Sequence, residues 1–99
     1  MMFKQVIYYF IAVVEEGSFS KAAKKYYLSQ SAISQQITKL ENDLGFLLFN
    51  RKTYYPTLTK EGKRYYQLVK KLMNDYQNEY EDLKEFKKGC FNNWNYRSF

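Results

Sequence analysis

Apolar residues recur every three or four positions through the first part of the chain, which is the period of a helix that buries one face. The first such stretch runs from Phe3 to Glu16 and ends at Gly17. Ser18 follows, and a serine hydroxyl can accept a hydrogen bond from the unpaired N–H groups at a helix start. We therefore expect a second, short helix from Phe19 to Tyr26.

A third helix is predicted from Gln30 to Leu44, between the capping residue Ser29 and the stop at Gly45. Tyr27 and Leu28 make the turn that precedes it. Its apolar stripe consists of Ile33, Ile37, Leu40 and Leu44. The 3.6-residue period of a helix separates this stripe from a polar face that we expect to point outward.

Two short β-forming runs follow the third helix. Phe46 to Arg51 shows no helical continuation, and Tyr55 to Leu58 combines β-forming residues with Pro56. This pattern predicts a small β-hairpin. Because proline lacks an N–H group, the second run is restricted to an edge or end position.

The last predicted helix is the longest, from Lys60 to about Lys88, with Thr59 as its cap. At 1.5 Å per residue it would reach about 43 Å, and a helix of that length needs a partner. Apolar residues along it follow alternating three- and four-residue steps: Tyr66, Val69, Met73, Tyr76, Tyr80 and Leu83. This seam could pack on its own domain or on another chain.

Composition narrows the possible functions. A chain of 99 residues with 45% hydrophobic residues is long enough for one small folded domain. Its net charge of +6 fits a polyanionic partner, although equally basic proteins exist without one. Cys90 is its only cysteine and it has no histidine, which excludes an intrachain disulfide, a Cys/His zinc site and a histidine-based triad. We expect no catalytic site, no metal and no cofactor.

The N-terminus does not show the pattern of a signal peptide, and no apolar run approaches the length of a membrane span. The expectation is therefore a cytoplasmic protein with no membrane association.

The second and third helices, separated by a tight turn, have the layout of a helix-turn-helix. The third opens with polar residues on its outward face: Gln30, Ser31, Ser34 and Gln35, with Thr38 one turn further. A glutamine amide can pair with both N6 and N7 of adenine, and serine hydroxyls can bond base edges or phosphates. The same residues are equally typical of a solvated helix face, so the pattern alone leaves both interpretations open.

Several motifs together resemble the LysR-type transcriptional regulators. They are Gly17-Ser18-Phe19-Ser20-Lys21-Ala22-Ala23, Leu28-Ser29-Gln30-Ser31-Ala32-Ile33-Ser34-Gln35-Gln36-Ile37, Leu40-Glu41, Leu44-Gly45, Leu48-Phe49-Asn50-Arg51 and Leu58-Thr59-Lys60-Glu61-Gly62. They stand at the spacing of the family, and the resemblance covers residues 3 to about 88.

The resemblance implies a mainly α fold. A winged helix-turn-helix of three helices and a small β-hairpin wing would occupy residues 1–59, a long dimerisation helix residues 60–88, and an irregular tail residues 89–99. It also implies a homodimer that binds a dyad site in double-stranded DNA and regulates transcription without being an enzyme. The DNA-contacting positions would be Gln30, Ser31, Ser34, Gln35, Thr38, Arg51 and Lys52, and the dimer would form through the seam of the long helix.

Two departures from the family pattern affect the expected specificity. Gln35 stands where the family usually has arginine, and Tyr54 and Tyr55 stand where its wing is usually basic. Because arginine favours guanine and glutamine favours adenine, we expect a half-site richer in A·T pairs. The wing keeps Arg51 and Lys52 for phosphate or minor-groove contact, but Arg51 could instead brace the wing through a salt bridge.

Members of the family continue into a two-lobed domain that senses a small molecule, whereas only the tail from Cys90 to Phe99 follows the long helix. We therefore expect no small-molecule effector to act through this chain. The sequence does not decide between a fragment and a natural short form. An alternative function is an interaction protein that pairs with a full-length regulator through the long helix.

Overall fold

The computed structural model describes residues 4–52 and 55–89, which form four helices and one two-stranded hairpin. The elements are α1 Gln5–Glu16, α2 Phe19–Lys25, α3 Gln30–Leu44, β1 Phe49–Asn50, β2 Thr57–Leu58 and α4 Lys60–Gly89. The prediction of a mainly helical fold with a small hairpin between the third and fourth helices is confirmed. Phe3, the predicted start of the first helix, and the tail from Cys90 lie outside the described residues. The helix was predicted to start too early, because Lys4 has an extended backbone and α1 begins at Gln5.

Capping residues set the ends of the helices as predicted. The Ser18 hydroxyl accepts from the N–H of Lys21 at 3.1 Å, which caps α2. The Thr59 hydroxyl accepts from the N–H of Gly62 at 2.9 Å in the first turn of α4. Gly45 ends α3 with φ of 87°, a left-handed conformation that glycine adopts without a steric penalty.

The α2–α3 turn is one residue longer than predicted, because α2 ends at Lys25 and not at Tyr26. The N–H of Leu28 donates back to the carbonyl of Ala23 at 2.8 Å, which ties the turn to the end of α2. Tyr27 lies in this turn with φ of 58°, the left-handed region that non-glycine residues rarely adopt.

An aromatic core joins α1 to the hairpin and to the start of α4. The fully buried ring of Phe10 lies 5.5 Å from that of Phe49 in an edge-to-face contact, and 5.5 Å from that of Tyr65. Phe19 of α2 contacts the Phe49 ring at 5.4 Å. Such pairs stabilise a core beyond the area that they bury. Burial raises the pKa of the Tyr65 phenol above its ordinary value.

The hairpin is shorter than the two predicted runs, with Phe49 opposite Leu58 and Asn50 opposite Thr57. The backbone before β1 has partners outside the hairpin: the N–H of Leu48 donates to the Glu41 carboxylate at 2.7 Å. Pro56, just before β2, has no N–H to donate. The hairpin between α3 and α4, residues 49–58, is called the wing from here on.

Gly62 allows α4 to start close to the chain that leads into β1. It is buried in the first turn of the helix, and a Cβ at this position would overlap the main-chain carbonyl of Leu48. Next to it, the N–H of Thr59 donates to that carbonyl at 3.0 Å. The start of α4 is therefore held by main-chain contacts that leave no room for a side chain.

The described residues divide into two compact units between Gln67 and Leu68, inside α4. The first unit contains α1 to α3, the wing and the beginning of α4. The second contains the rest of α4, of which residues 68–87 are called distal α4 from here on. No helix within 4–52 or 55–89 combines the length and apolar character that a membrane crossing requires.

Candidate nucleic-acid interface

The first two turns of α3 present polar side chains outward and apolar side chains inward. Ile33 and Ile37 are fully buried in the first unit. Gln30, Ser31 and Gln35 are exposed, Thr38 one turn further is exposed, and Ser34 is half-buried. The helix start is fixed by Ser29, whose hydroxyl accepts from the N–H of Ala32 at 3.0 Å. The face predicted to read DNA is thus held on a rigid, capped helix.

Gln35 makes one hydrogen bond within this face, from its side-chain NH₂ group to the Ser31 hydroxyl at 3.3 Å. A carboxamide nitrogen carries two donors and its oxygen carries two lone pairs. One N–H and the carbonyl oxygen therefore stay available for a bidentate pair with a base edge, while Ser31 limits rotation of the amide.

Two of the predicted DNA-contacting residues bond each other. Nη1 of Arg51 donates to the hydroxyl of Thr38 at 2.9 Å, which joins the end of β1 to α3. The guanidinium carbon also lies 5.0 Å from the ring centroid of Phe19 in α2, within the range of a cation–π contact. These contacts agree with the interpretation in which Arg51 fixes the wing to the helices. The contacts of Arg51 with α2 and α3 are called the brace from here on.

Arg51 also has an acidic partner that was not predicted from the sequence, Glu41. Its side chain is only 4% exposed, and one carboxylate oxygen accepts from the N–H groups of Leu48 and Phe49 at 2.7 and 3.1 Å. The other oxygen lies 3.6 Å from Nη2 of Arg51. The available signal was its position four residues after Ile37, which places an acidic residue on the buried face of α3.

Lys52 is the exposed cation of the wing that follows Arg51 directly. Its N–H donates to the Asn50 side chain at 3.0 Å, a local turn that fixes the backbone as it leaves β1. Tyr55 on the other side of the wing is exposed, whereas Tyr54 lies outside the described residues. Lys52 thus presents an exposed charge at a position for which the sequence predicts a DNA contact.

The predicted seam of α4 divides into two parts by exposure. Tyr66 is half-buried and donates from its hydroxyl to Glu15 at 2.9 Å, and Val69 is only 3% exposed. Met73 is half-buried, but Tyr76, Tyr80 and Leu83 are 42%, 46% and 62% exposed. A second chain could therefore bury far more surface at the far end of the seam than at its beginning.

Aromatic contacts order that far end within one helix. The rings of Tyr76 and Tyr80 stack at 6.2 Å with an interplanar angle of 12°, and the Lys84 ammonium lies 5.3 Å from the Tyr80 ring. Aromatic rings one turn apart thus contact each other on the same side of the helix. In the described ranges no three histidine, cysteine, aspartate or glutamate side chains gather as a metal site.

Together α2, the turn, α3 and the wing form a winged helix-turn-helix, the class of fold in which the second helix of the motif enters the major groove. Residues 5–63 match the model of the bacterial regulatory helix-turn-helix proteins of the lysR family. The chain belongs to the LysR family.

Similar proteins are named as regulators. The chain is 42% identical over 77 residues to the HTH-type transcriptional activator AaeR of Escherichia coli K12, a match covering 78% of this chain and 25% of AaeR. It is 45% identical over 67 residues to the HTH-type transcriptional regulator BenM of Acinetobacter baylyi, covering 68% of this chain and 22% of BenM. The chain thus spans about a quarter of the length of the curated relatives it matches.

Solved structures agree on the fold. The crystal structure of the BenM DBD in complex with catB site 1 DNA matches with a TM-score of 0.78 and 38% identity, covering 86% of this chain and 91% of that chain. The CbnR DBD–DNA complex matches with a TM-score of 0.72 and 30% identity, covering 82% and 93%.

Proposed function

We propose that this chain binds double-stranded DNA in a sequence-specific manner and acts in transcriptional regulation, by binding and not by catalysis. The observation that carries the proposal is the polar outward face of α3, which stands on a buried isoleucine stripe. The matched DBD–DNA complexes support the same assignment. A cytoplasmic location belongs to the proposal, because bacterial chromosomal DNA lies in the cytoplasm.

In this proposal α3 enters the major groove with its N-terminal turns. Gln30, Ser31 and Ser34 bond base edges or nearby phosphates, and Gln35 pairs with an adenine. The hydrogen bond between Gln35 and Ser31 supports this role, because an amide with restricted rotation loses less entropy on binding a base. A half-site rich in A·T pairs follows from a glutamine at this position.

The wing supplies contact with the DNA backbone through Lys52, which is exposed beside the hairpin. A lysine ammonium is a point charge that binds phosphate without fixed geometry. Such a contact adds affinity that depends on salt and not on sequence. We assign positioning of the protein on the duplex to Lys52 and reading of the bases to α3.

Distal α4 joins two copies of the chain in the same proposal. Its exposed apolar residues Tyr76, Tyr80 and Leu83 lie at heptad spacing, so a second helix would bury them together. One α3 covers only a few base pairs, and a dimer would place two of them about one helical turn apart on a dyad site. Dimerisation therefore raises affinity for a site with two half-sites.

The experiment compares Gln35→Ala with Gln36→Ala on duplexes selected from a random pool. Gln36 is the matched control because it lines a groove with Lys4 and with Ile7 of α1, and this groove does not include Ser31 or Gln35. We expect Gln35→Ala to lose about 1 to 3 kcal/mol on the selected duplex and less on random DNA. Gln36→Ala should bind like the unchanged chain. Fluorescence anisotropy at fixed salt measures both.

Two results would contradict the proposal. Equal weakening of Gln35→Ala on both duplexes would make Gln35 a backbone contact and not a reader of bases. A chain that binds no duplex at any salt concentration, but co-purifies with a longer regulator, would support the interaction protein in its place.

A further inference from the structure

We propose that Arg51 is a positioning residue: it fixes the wing against α2 and α3, and does not itself contact DNA. The inference rests on the proposed function, since what Arg51 positions is the DNA contact of the wing relative to α3. It also changes the role of Thr38, which becomes the acceptor of this brace and not a second contact to bases.

The guanidinium group of Arg51 is held from three sides by two other elements. Nη1 donates to Thr38 and Nη2 lies 3.6 Å from Glu41, both on α3, while the central carbon of the group lies over the Phe19 ring of α2, 5.0 Å from its centroid. Only a planar group with several fixed donors can hold all three contacts at once. A lysine ammonium would keep the charge and lose the fork.

The burial of Glu41 explains why a cation is needed at this place. Its side chain is 4% exposed, and a buried carboxylate is costly unless it is paired and fully hydrogen-bonded. The N–H groups of Leu48 and Phe49 satisfy one oxygen, and Arg51 neutralises the other. The Glu41 carboxylate on α3 thus holds both the backbone at the start of β1 and the Arg51 side chain just after β1.

The brace connects the two surfaces proposed to meet DNA. Thr38 lies on α3 three residues after Gln35, and Lys52 follows Arg51 directly in the wing. The bond between Thr38 and Arg51 therefore sets where Lys52 stands relative to Gln35. Loss of the brace would release the wing from α3 and remove the phosphate contact without any change in Lys52 itself.

The test compares substitutions of the two neighbouring cations, Arg51 and Lys52. Arg51→Lys and Arg51→Gln should both bind the selected duplex about tenfold more weakly, because the charge-assisted hydrogen bond between Lys52 and a phosphate is lost with the brace. Lys52→Gln should weaken binding as well, but Lys52→Arg should bind like the unchanged chain, because a phosphate contact requires only a charge. Recovery of affinity in Arg51→Lys would overturn the proposal, since a direct phosphate contact tolerates lysine.

A double-mutant cycle with Thr38→Val separates a shared brace from two independent contacts. Thr38→Val removes the acceptor hydroxyl and keeps the shape and charge of the site. If both residues belong to one brace, Thr38→Val combined with Arg51→Gln should bind no more weakly than the weaker single variant. Fold losses that multiply would show that the two residues contact DNA separately and would overturn the proposal.

Amide hydrogen exchange of the chain without DNA gives a readout that is independent of binding. Exchange at Leu48 and Phe49 should be faster in Arg51→Lys than in the unchanged chain. Unchanged exchange would overturn the brace. Faster exchange with unchanged DNA affinity of the folded chain would show a purely structural role and would overturn it too. If the unchanged chain binds no duplex, the proposed function fails, and this measurement still decides whether Arg51 fixes the wing.

Discussion

The first unit and distal α4 differ in whether their large apolar side chains are buried or exposed. In the first unit Phe10, Ile33 and Ile37 are fully buried, and aromatic rings from α1, α2 and the wing contact one another. In distal α4, large apolar side chains are exposed over most of its length: Leu68, Leu72, Tyr76, Tyr80, Leu83 and Phe86.

This difference indicates that the two regions depend on different partners for their stability. The first unit has its own core, and a buried aliphatic or aromatic side chain contributes about 1.5 to 3 kcal/mol. Distal α4 has an apolar face that the described residues leave exposed, and an exposed apolar patch of that kind usually marks an interface. The first unit should therefore be sensitive to internal packing and distal α4 to association.

The largest expected effect is at Gly62 in the first unit, where the neighbouring main chain leaves no room for a side chain. Gly62→Ala should lower the free energy of unfolding by about 3 kcal/mol, because the new Cβ would overlap the carbonyl of Leu48 and main-chain atoms cannot rotate away. Urea denaturation followed by circular dichroism measures the change.

Gly17→Ala is the matched control for that substitution. Gly17 has φ of 74°, but a Cβ there would meet nothing within 4 Å. Only the backbone strain remains, which amounts to about 1 to 2 kcal/mol. If Gly17→Ala destabilised the chain as much as Gly62→Ala, close packing at the start of α4 would not be the property that distinguishes the first unit.

An intermediate effect is expected in distal α4, from a charge placed in its apolar face. Tyr76→Glu should weaken the dimer by about 2 kcal/mol in total. Affinity should then fall on a duplex with two half-sites and stay nearly the same on a single half-site. Analytical ultracentrifugation reports the mass, and the unfolding of the first unit should not change.

Asn78→Glu adds the same charge to the same helix two residues further, away from the seam, and should leave the dimer intact. If Tyr76→Glu stayed dimeric, or if the unchanged chain were already a monomer at micromolar concentration, distal α4 would not be the interface. The contrast between a self-sufficient first unit and an associating helix would then fail.

Local signals in the sequence were sufficient for most of the fold. The serine caps and glycine stops set the bounds of α3 at Gln30 and Leu44 as predicted, because each acts on its own neighbours. The strands were predicted too long, because the N–H groups near β1 bond to Glu41, a residue of another element. A competing partner of that kind has no local pattern.

The candidate site also combines a feature that local sequence predicts with one that it does not. The outward face of α3 follows from helical period alone, so the exposure of Gln30 and Gln35 could be predicted. The contact between Thr38 and Arg51 joins residues 13 positions apart, and from the sequence each of them was predicted separately to contact DNA. Helical period gives the direction of each side chain, but not which of them meet across two elements.

The smallest expected effect concerns a strained position on the surface of the first unit. Tyr27 is 95% exposed with φ of 58°, so its side chain contributes little packing while its backbone is unfavourable. Tyr27→Gly should stabilise the chain by about 0.5 kcal/mol, because relief of the left-handed strain slightly exceeds the entropy that glycine adds to the unfolded state. Its neighbour Tyr26 is the control: its ring contacts Tyr9 edge-to-face at 5.0 Å, so Tyr26→Gly should destabilise. Thermal unfolding of both variants measures the difference, and a loss of stability in Tyr27→Gly would mean that the exposed ring contributes to the first unit after all.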